Sequence, residues 1–106
     1  MTNEEIAEML NRIADTHYSH APIGTTIPFI TYITEFSNNF GADDKVYQKV
    51  KSVTITAYMG SLDLHIDTEI QQALDNMNIY WTSSTDYDSD QKLYTTTYEM
   101  EVIDNG

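Results

Sequence analysis

The sequence contains no cysteine, and this absence excludes several classes of function. Without thiols the chain cannot form a disulfide scaffold, a cysteine-ligated zinc site, an iron–sulfur cluster or a thiol nucleophile. Glycine is also scarce, with four residues in 106, which leaves little material for a phosphate-binding loop. Serine nucleophile elbows and HExxH motifs are absent as well. We therefore predict a protein that is not an enzyme and has no cofactor.

Basic residues are few, five against 17 acidic residues, which gives a formal net charge of -12. Such a charge repels phosphate backbones and anionic lipid, so we expect no direct nucleic-acid binding and no membrane association. No apolar run approaches the ~20 residues of a membrane helix, and the amino terminus lacks the basic and apolar regions of a signal peptide. We expect a soluble protein that is not exported.

Hydrophobic residues make up 41% of the chain, enough for one core in a protein of this length. We expect a single α+β domain over residues 1–106, with the end of the chain, about 104–106, frayed.

The first half begins with a helix signal. Thr2 and Glu5 have capping-box spacing, and the apolar residues that follow recur every three or four positions, which predicts a helix over 3–17. Residues 16–26 are predicted to be a connector. Alternating β-branched and aromatic residues then predict a central strand from 27 or 29 to 36.

The middle of the chain predicts a turn-rich loop over 37–44, a strand over 45–59 and a second helix over about 62–77. Alternation is irregular before Lys51, which suggests a bend or bulge there. On the second helix, Asp67 is assigned to the outer, solvated side.

The last third predicts a strand over 79–85, a polar break over 86–91 and a strand over 94–102. The element order is therefore helix-strand-strand-helix-strand-strand. Each strand pair is close enough in sequence to form an antiparallel hairpin, so we predict an antiparallel sheet with two helices packed on one face.

Three groups of side chains have spacings that suggest metal binding or acid–base chemistry, and each has a plainer explanation. They are Asp86, Asp88 and Asp90; His17 and His20; and His65 with Asp63, Asp67 and Glu69. The aspartates lack the glycine and glutamate of a calcium loop and are typical of a hairpin turn. The histidines are typical of a helix end and a helix surface. We predict no metal site.

Tyrosine is abundant, with eight residues, and both sheet packing and subunit interfaces favour it. Three of the five basic residues lie between 45 and 51. They either protect a strand edge or form a patch that is complementary to an acidic neighbour. The predicted contact residues are Phe40, Lys45, Tyr47, Lys49 and Lys51. Reversing the charge of Lys49 and Lys51 is expected to impair assembly and leave the fold intact.

Two stretches carry a resemblance to a known family: YSHAPIGTTIPF at 18–29 and NFGADDKVY at 39–47. With the final YTTTYEMEV at 94–102, they resemble small phage and prophage proteins of Gram-positive bacteria that act in tail completion, over about residues 18 to 103. The resemblance implies a tail terminator-like subunit that forms a ring, six-fold by analogy, between the tail tube protein and the head connector protein. It would belong to the virion tail and, during assembly, to the host cytoplasm.

Two other functions remain open. A head-completion ring protein of the same connector region fits the same features. An acidic chain can also act as a DNA mimic that occupies the basic cleft of a host DNA-binding protein.

Overall fold

A computed structural model of the chain describes residues 2–39, 49–60 and 64–104. Its elements, in chain order, are α1 (Asn3–Asn11), β1 (Asp15–Tyr18), β2 (Phe29–Asn39), β3 (Lys49–Met59), α2 (Leu64–Asn76), β4 (Trp81–Asp88) and β5 (Leu93–Asp104). The strands of these described segments form one sheet in the order β1-β2-β3-β5-β4. The α+β class and both antiparallel hairpins, β2–β3 and β4–β5, are confirmed. The sheet is mixed, because β1 pairs with β2 in parallel.

Helix α1 begins where the sequence predicts. The Glu5 backbone N–H donates to Thr2 Oγ1 at 3.2 Å, and the Thr2 N–H donates to Glu5 Oε1 at 3.0 Å. This capping box satisfies two backbone donors that the first turn leaves free. Hydrogen bonds from the Thr2 backbone and side chain hold the pKa of Glu5 below its ordinary value.

The predicted end of the first helix at residue 17 is wrong. The helix ends at Asn11, and the Leu10 carbonyl accepts hydrogen bonds from both Ile13 N and Ala14 N as the chain leaves it. Residues 15–18, predicted to be helix end and connector, instead form β1 beside Phe29–Tyr32 of β2. Ser19, with a φ of 69°, ends this strand.

The core lies between the helices and one face of the sheet. Residues 51, 53, 55, 57 and 59 of β3 are buried and alternate with half-buried residues, as predicted for this strand after Ser52. The buried apolar residues of the sheet and of both helices form one cluster: Ile6, Met9, Leu10, Ile30, Tyr32, Val53, Ile55, Ala57, Met59, Ile66, Ile70, Leu74, Tyr98, Met100 and Val102. The helices therefore pack on one face, as expected.

Other boundaries differ from the prediction by a few residues. The second helix covers 64–76 where about 62–77 was expected, and residues 62 and 63 lie outside the described residues. Strand β4 covers 81–88 where 79–85 was expected. Strand β3 starts at 49, and residues 45–48 lie outside the described residues. An extra residue interrupts the β2–β3 register between Phe36 and Asn38, opposite Lys51. The irregularity predicted near Lys51 is therefore a bulge in β2 and not in β3.

Candidate interaction surfaces

The sheet face opposite the helices, called the open face below, carries rows of short polar side chains. One row runs across all five strands as His17, Thr31, Thr56, Thr97 and Ser84, which are successive register partners. Four of these five are hydroxyl residues, which suit strands but bury little apolar area. The central row of the open face is therefore polar.

The rows near the two ends of the open face differ in character. Toward one end of the sheet lie Phe29 and Tyr58, whose rings stack with centroids 4.6 Å apart. Toward the other end, Glu35, Ser52 and Glu101 are register partners. Carboxylates therefore border the open face at the end where β5 finishes.

The loop between β1 and β2, residues 19–28, joins two parallel strands without a helix. Together with Phe29, Thr31 and Tyr58 it lines a groove on the open face, and Thr31 is only 4% exposed. Within the loop, the Thr25 N–H donates to the Pro22 carbonyl at 3.1 Å, and Gly24 has a φ of +90°. This turn presents the side chain of Ile23 fully to solvent.

A buried polar cluster joins α2 to β5. Tyr98, fully buried, donates its hydroxyl to Asp67 Oδ1 at 2.7 Å, and Thr96 Oγ1 donates to Asp67 Oδ2 at 3.4 Å. Burial, and then the hydrogen bond to Asp67, raise the pKa of Tyr98 well above its ordinary value. Asp67 is 8% exposed, so its assignment to the solvated side of the second helix is wrong. Its role is to fix the helix to the sheet.

Asp86 lies within β4, and Asp88 and Asp90 take part in the hairpin turn that follows it. Asp88 Oδ1 accepts hydrogen bonds from the backbone N–H groups of Asp90 and Gln91, at 2.9 and 3.2 Å. This is the local bonding that aspartate gives to turns. Strand β4 runs to Asp88, so the break is shorter than the expected 86–91.

His17 is placed differently from the prediction, whereas His65 lies on the helix surface as predicted. His17 lies on β1 and not at a helix end, and its Nε2 is 2.9 Å from Asp15 Oδ2. His65 lies on the surface of α2, with Nε2 3.4 Å from Glu69 Oε1. Asp63 lies outside the described residues. Within 2–39, 49–60 and 64–104, no group of three or more His, Asp or Glu side chains could hold a metal ion.

The structure describes only part of the predicted contact set. Phe40, Lys45 and Tyr47 lie outside the described residues, and Lys49 is described only as the first residue of β3. Lys51 is 6% exposed, and its Nζ donates to Asn3 Oδ1 at 3.2 Å. Reversing this buried charge would place a carboxylate beside the start of α1, so the expectation of an intact fold is revised for Lys51. A contact role for these five residues stays a prediction.

The tyrosines divide between the core and the surface. Tyr98 and Tyr32 are buried, whereas Tyr18, Tyr80 and Tyr87 are 49%, 84% and 52% exposed. Sheet packing and subunit contact, the two roles predicted for tyrosine, therefore each have candidate residues. Tyr18 and Tyr87 are register partners of Tyr32 and Tyr94, and each packs against that partner's ring.

Tyr80, the most exposed of the tyrosines that the structure describes, lies where β4 begins. Tyr80 lines a groove of about 420 Å³ beside the helices, together with Met77, Ile79, Val102, Glu5 and Glu101. Tyr80 and Glu101 also line a groove of about 410 Å³ that opens on the open face. We call the first of these the Tyr80 groove. Apart from the tyrosine content, no pattern in the sequence predicts this groove.

Comparisons with known proteins bear on the fold. No family model matches the sequence, and no curated protein matches it. Solved structures do match, and one is a chain in the virion of a native gene transfer agent particle. The two share a TM-score of 0.57 and 8% sequence identity, over 93% of this chain and 84% of that chain. No helix among the described residues is long and apolar enough to cross a membrane. At this identity the similarity establishes a shared fold.

Proposed function

We propose that this chain is a structural subunit of a phage or phage-like virion. The observation that carries the proposal is the fold shared with a chain of a gene transfer agent virion over 93% of the present chain. The resemblance of residues 18–103 to phage tail-completion proteins supports the same role. Because fold alone does not fix function, the proposal rests on this agreement between two independent comparisons.

The finer proposal is a tail terminator, or tail completion, protein. In this role the chain forms a ring, six-fold by the sequence resemblance, at the head-proximal end of the tail tube. Its partners are other copies of itself, the tail tube protein and the head connector protein. It resides in the virion tail, after assembly in the host cytoplasm.

The two edge strands of the sheet support ring formation. The two outer strands are β1 and β4, which differ in length and in sequence. A contact between two such different edges is heterologous, and heterologous contacts close into rings when the rotation between subunits permits. Strand β4 is the more open edge, since seven of its eight side chains are exposed and it contains neither proline nor lysine.

A head-completion ring protein is the second candidate, because the same fold and sheet edges support it equally. The two roles predict different partners. A terminator binds the open end of tail tubes, whereas a head-completion protein binds the head connector.

Native mass by light scattering, over a concentration series at low and high salt, tests ring formation. Six copies of the 12.1 kDa chain weigh about 73 kDa. A species of that mass with ring-shaped negative-stain images supports the proposal. A chain that stays monomeric in solution and also fails to bind tail tubes or head connectors contradicts it. A salt-sensitive complex with a DNA-binding protein would favour the DNA-mimic function instead.

A further inference from the structure

The two outer strands of the sheet, β1 and β4, run in opposite directions. Strand β1 is parallel to β2, and each later neighbour in the order β2-β3-β5-β4 is antiparallel to the strand before it. A second copy that stands beside the first in the same orientation therefore brings its β1 antiparallel to β4 of the first copy. Such a pair continues the sheet from one copy to the next.

The backbone groups of these two edges also match. Hydrogen-bonding direction alternates from residue to residue along a strand, and the bond from Ser19 N to the Tyr32 carbonyl, at 2.8 Å, fixes this alternation for β1 and β2. The N–H groups of Thr16 and Tyr18 therefore point away from β2. Carried through the register of the sheet, the same alternation points the N–H groups of the odd-numbered residues of β4, 81–87, away from β5.

The side chains select one register for this pairing. Strand β1 has four residues and β4 has eight, so three registers pair all of β1 and keep matching sides of the two sheets together. Two of these registers place Asp15 directly opposite Asp86 or Asp88, and like charges at directly opposite positions destabilise a pair of strands. The third register places Asp15 opposite Ser84.

We propose that β1 of one copy pairs with β4 of the next copy in this third register, so that the sheets of neighbouring subunits become continuous. This inference rests on the proposed ring, and it specifies the contact between its subunits. The facing residues are Asp15 and Ser84, Thr16 and Ser83, His17 and Thr82, and Tyr18 and Trp81. Aromatic and hydroxyl pairs of this kind stabilise antiparallel strands.

The exposure of the aromatic residues agrees with this contact. Tyr18 is 49% exposed, although its ring packs against Tyr32 with the centroids 5.1 Å apart, and Trp81 is half-buried. The paired strands would cover both Tyr18 and Trp81 from the edge of the sheet. In this register Ser19 of one copy lies beside Tyr80 of the other, and Tyr80 is 84% exposed. The contact therefore covers two of the exposed tyrosines.

Cysteine cross-linking tests the register, because the original chain contains no cysteine. His17 and Thr82 form a non-hydrogen-bonded pair in the proposed contact, with Cα atoms about 4.5 Å apart, which suits a disulfide. The whole-chain variants His17→Cys and Thr82→Cys are mixed and oxidised with glutathione disulfide. His17→Cys mixed with Ser84→Cys is the matched control, since Ser84 lies diagonally from His17, about 7–8 Å away.

We expect the first mixture to give at least about tenfold more disulfide-linked dimer than the control, and mass spectrometry of peptides to show residues 17 and 82 joined. Non-reducing gels measure the dimer.

Proline substitutions test the edge of β4. Ser83→Pro removes an N–H that points away from β5, so it blocks the added strand and keeps the pairing with β5. Thr85→Pro removes an N–H on the same edge but outside the four proposed pairs, which makes it the matched control. In sedimentation velocity, Ser83→Pro should need at least about tenfold more protein for half-maximal association, and Thr85→Pro should resemble the original chain. Circular dichroism verifies the fold of each variant.

Three results would overturn the inference. If the original chain forms rings but His17→Cys and Thr82→Cys do not cross-link above the control, the contact is wrong and the ring proposal stands. If Thr82→Cys alone gives more linked dimer than the mixture, β4 pairs with β4 of another copy, and the heterologous ring is wrong as well. If the chain is monomeric throughout the series and no cross-link forms, the contact is wrong, and the ring proposal is then decided on tail tubes.

Discussion

Removing the Tyr98 hydroxyl tests how α2 is held to the sheet. The hydroxyl donates to Asp67 Oδ1 at 2.7 Å, and both residues are buried. A hydrogen bond to a charged group contributes about 1.5–3 kcal/mol. In Tyr98→Phe, Asp67 would keep the longer bond from Thr96 at 3.4 Å. We therefore expect a loss of about 2 kcal/mol in the free energy of unfolding.

A double-mutant cycle separates this bond from the packing around it. Asp67→Leu removes the carboxylate that accepts the Tyr98 hydroxyl proton. We expect this variant to lose about 1–2 kcal/mol. The double variant Tyr98→Phe/Asp67→Leu leaves neither buried group unpaired. It should lose about 2 kcal/mol less than the sum of the two single changes.

Thermal and urea unfolding, followed by circular dichroism at a concentration where the chain is monomeric, gives these values. For a chain of this size 2 kcal/mol corresponds to a fall of about 8 °C in Tm. If Tyr98→Phe changes stability by less than about 0.5 kcal/mol, or if the single changes are additive, the bond does not hold the helix as described.

The remaining predictions concern the helix cap, one turn and high pH. Thr2→Ala should cost about 1 kcal/mol in unfolding free energy, since it removes the cap of α1, whereas Thr2→Ser should be nearly neutral. Gly24→Ala should cost about 1 kcal/mol, because the φ of +90° strains any side chain although nothing lies within 4 Å of the added Cβ; urea unfolding measures both. The pKa of Tyr98 is raised in the folded chain above its ordinary 10.0, so the unfolded chain loses this proton at lower pH than the folded chain does. This contribution to the free energy of unfolding is fully present below pH 10 and is lost as pH rises above 10. The decline should be less steep in Tyr98→Phe. A pH titration of unfolding free energy that gives equal slopes for the two chains would contradict the last prediction.

The sequence predicts the regular elements well where pattern and packing agree. Residues 53–59 alternate because one side of β3 faces the core, and the same holds for Tyr98, Met100 and Val102 of β5. The capping box of α1 is equally local, since it needs only Thr2 and Glu5 at the correct spacing. Such features depend on residues close in sequence, and they are confirmed.

The sequence does not predict strand β1, because residues 15–18 lack a strand pattern. Asp15-Thr16-His17-Tyr18 follows the apolar residues of the helix and shows no apolar alternation. Its conformation comes from pairing with Phe29–Tyr32, more than ten residues away. Tertiary contacts of this kind override local preference.

The charge of Asp67 predicts the solvated side of α2, whereas its spacing predicts the buried side. Asp67 lies three residues before Ile70 and seven before Leu74, both fully buried, so helical periodicity places it on their side of α2. The Tyr80 groove could not be predicted in the same way. It depends on how far β5 extends beyond the first residue of β4, and the register between these two strands sets that distance.

Negative-stain imaging of tail tubes assembled with and without this chain tests the proposed function directly. We expect tubes of limited length with an added ring at one end, and we expect the purified chain in the tube fraction. Tubes of unchanged length that carry none of the chain would contradict the proposed function.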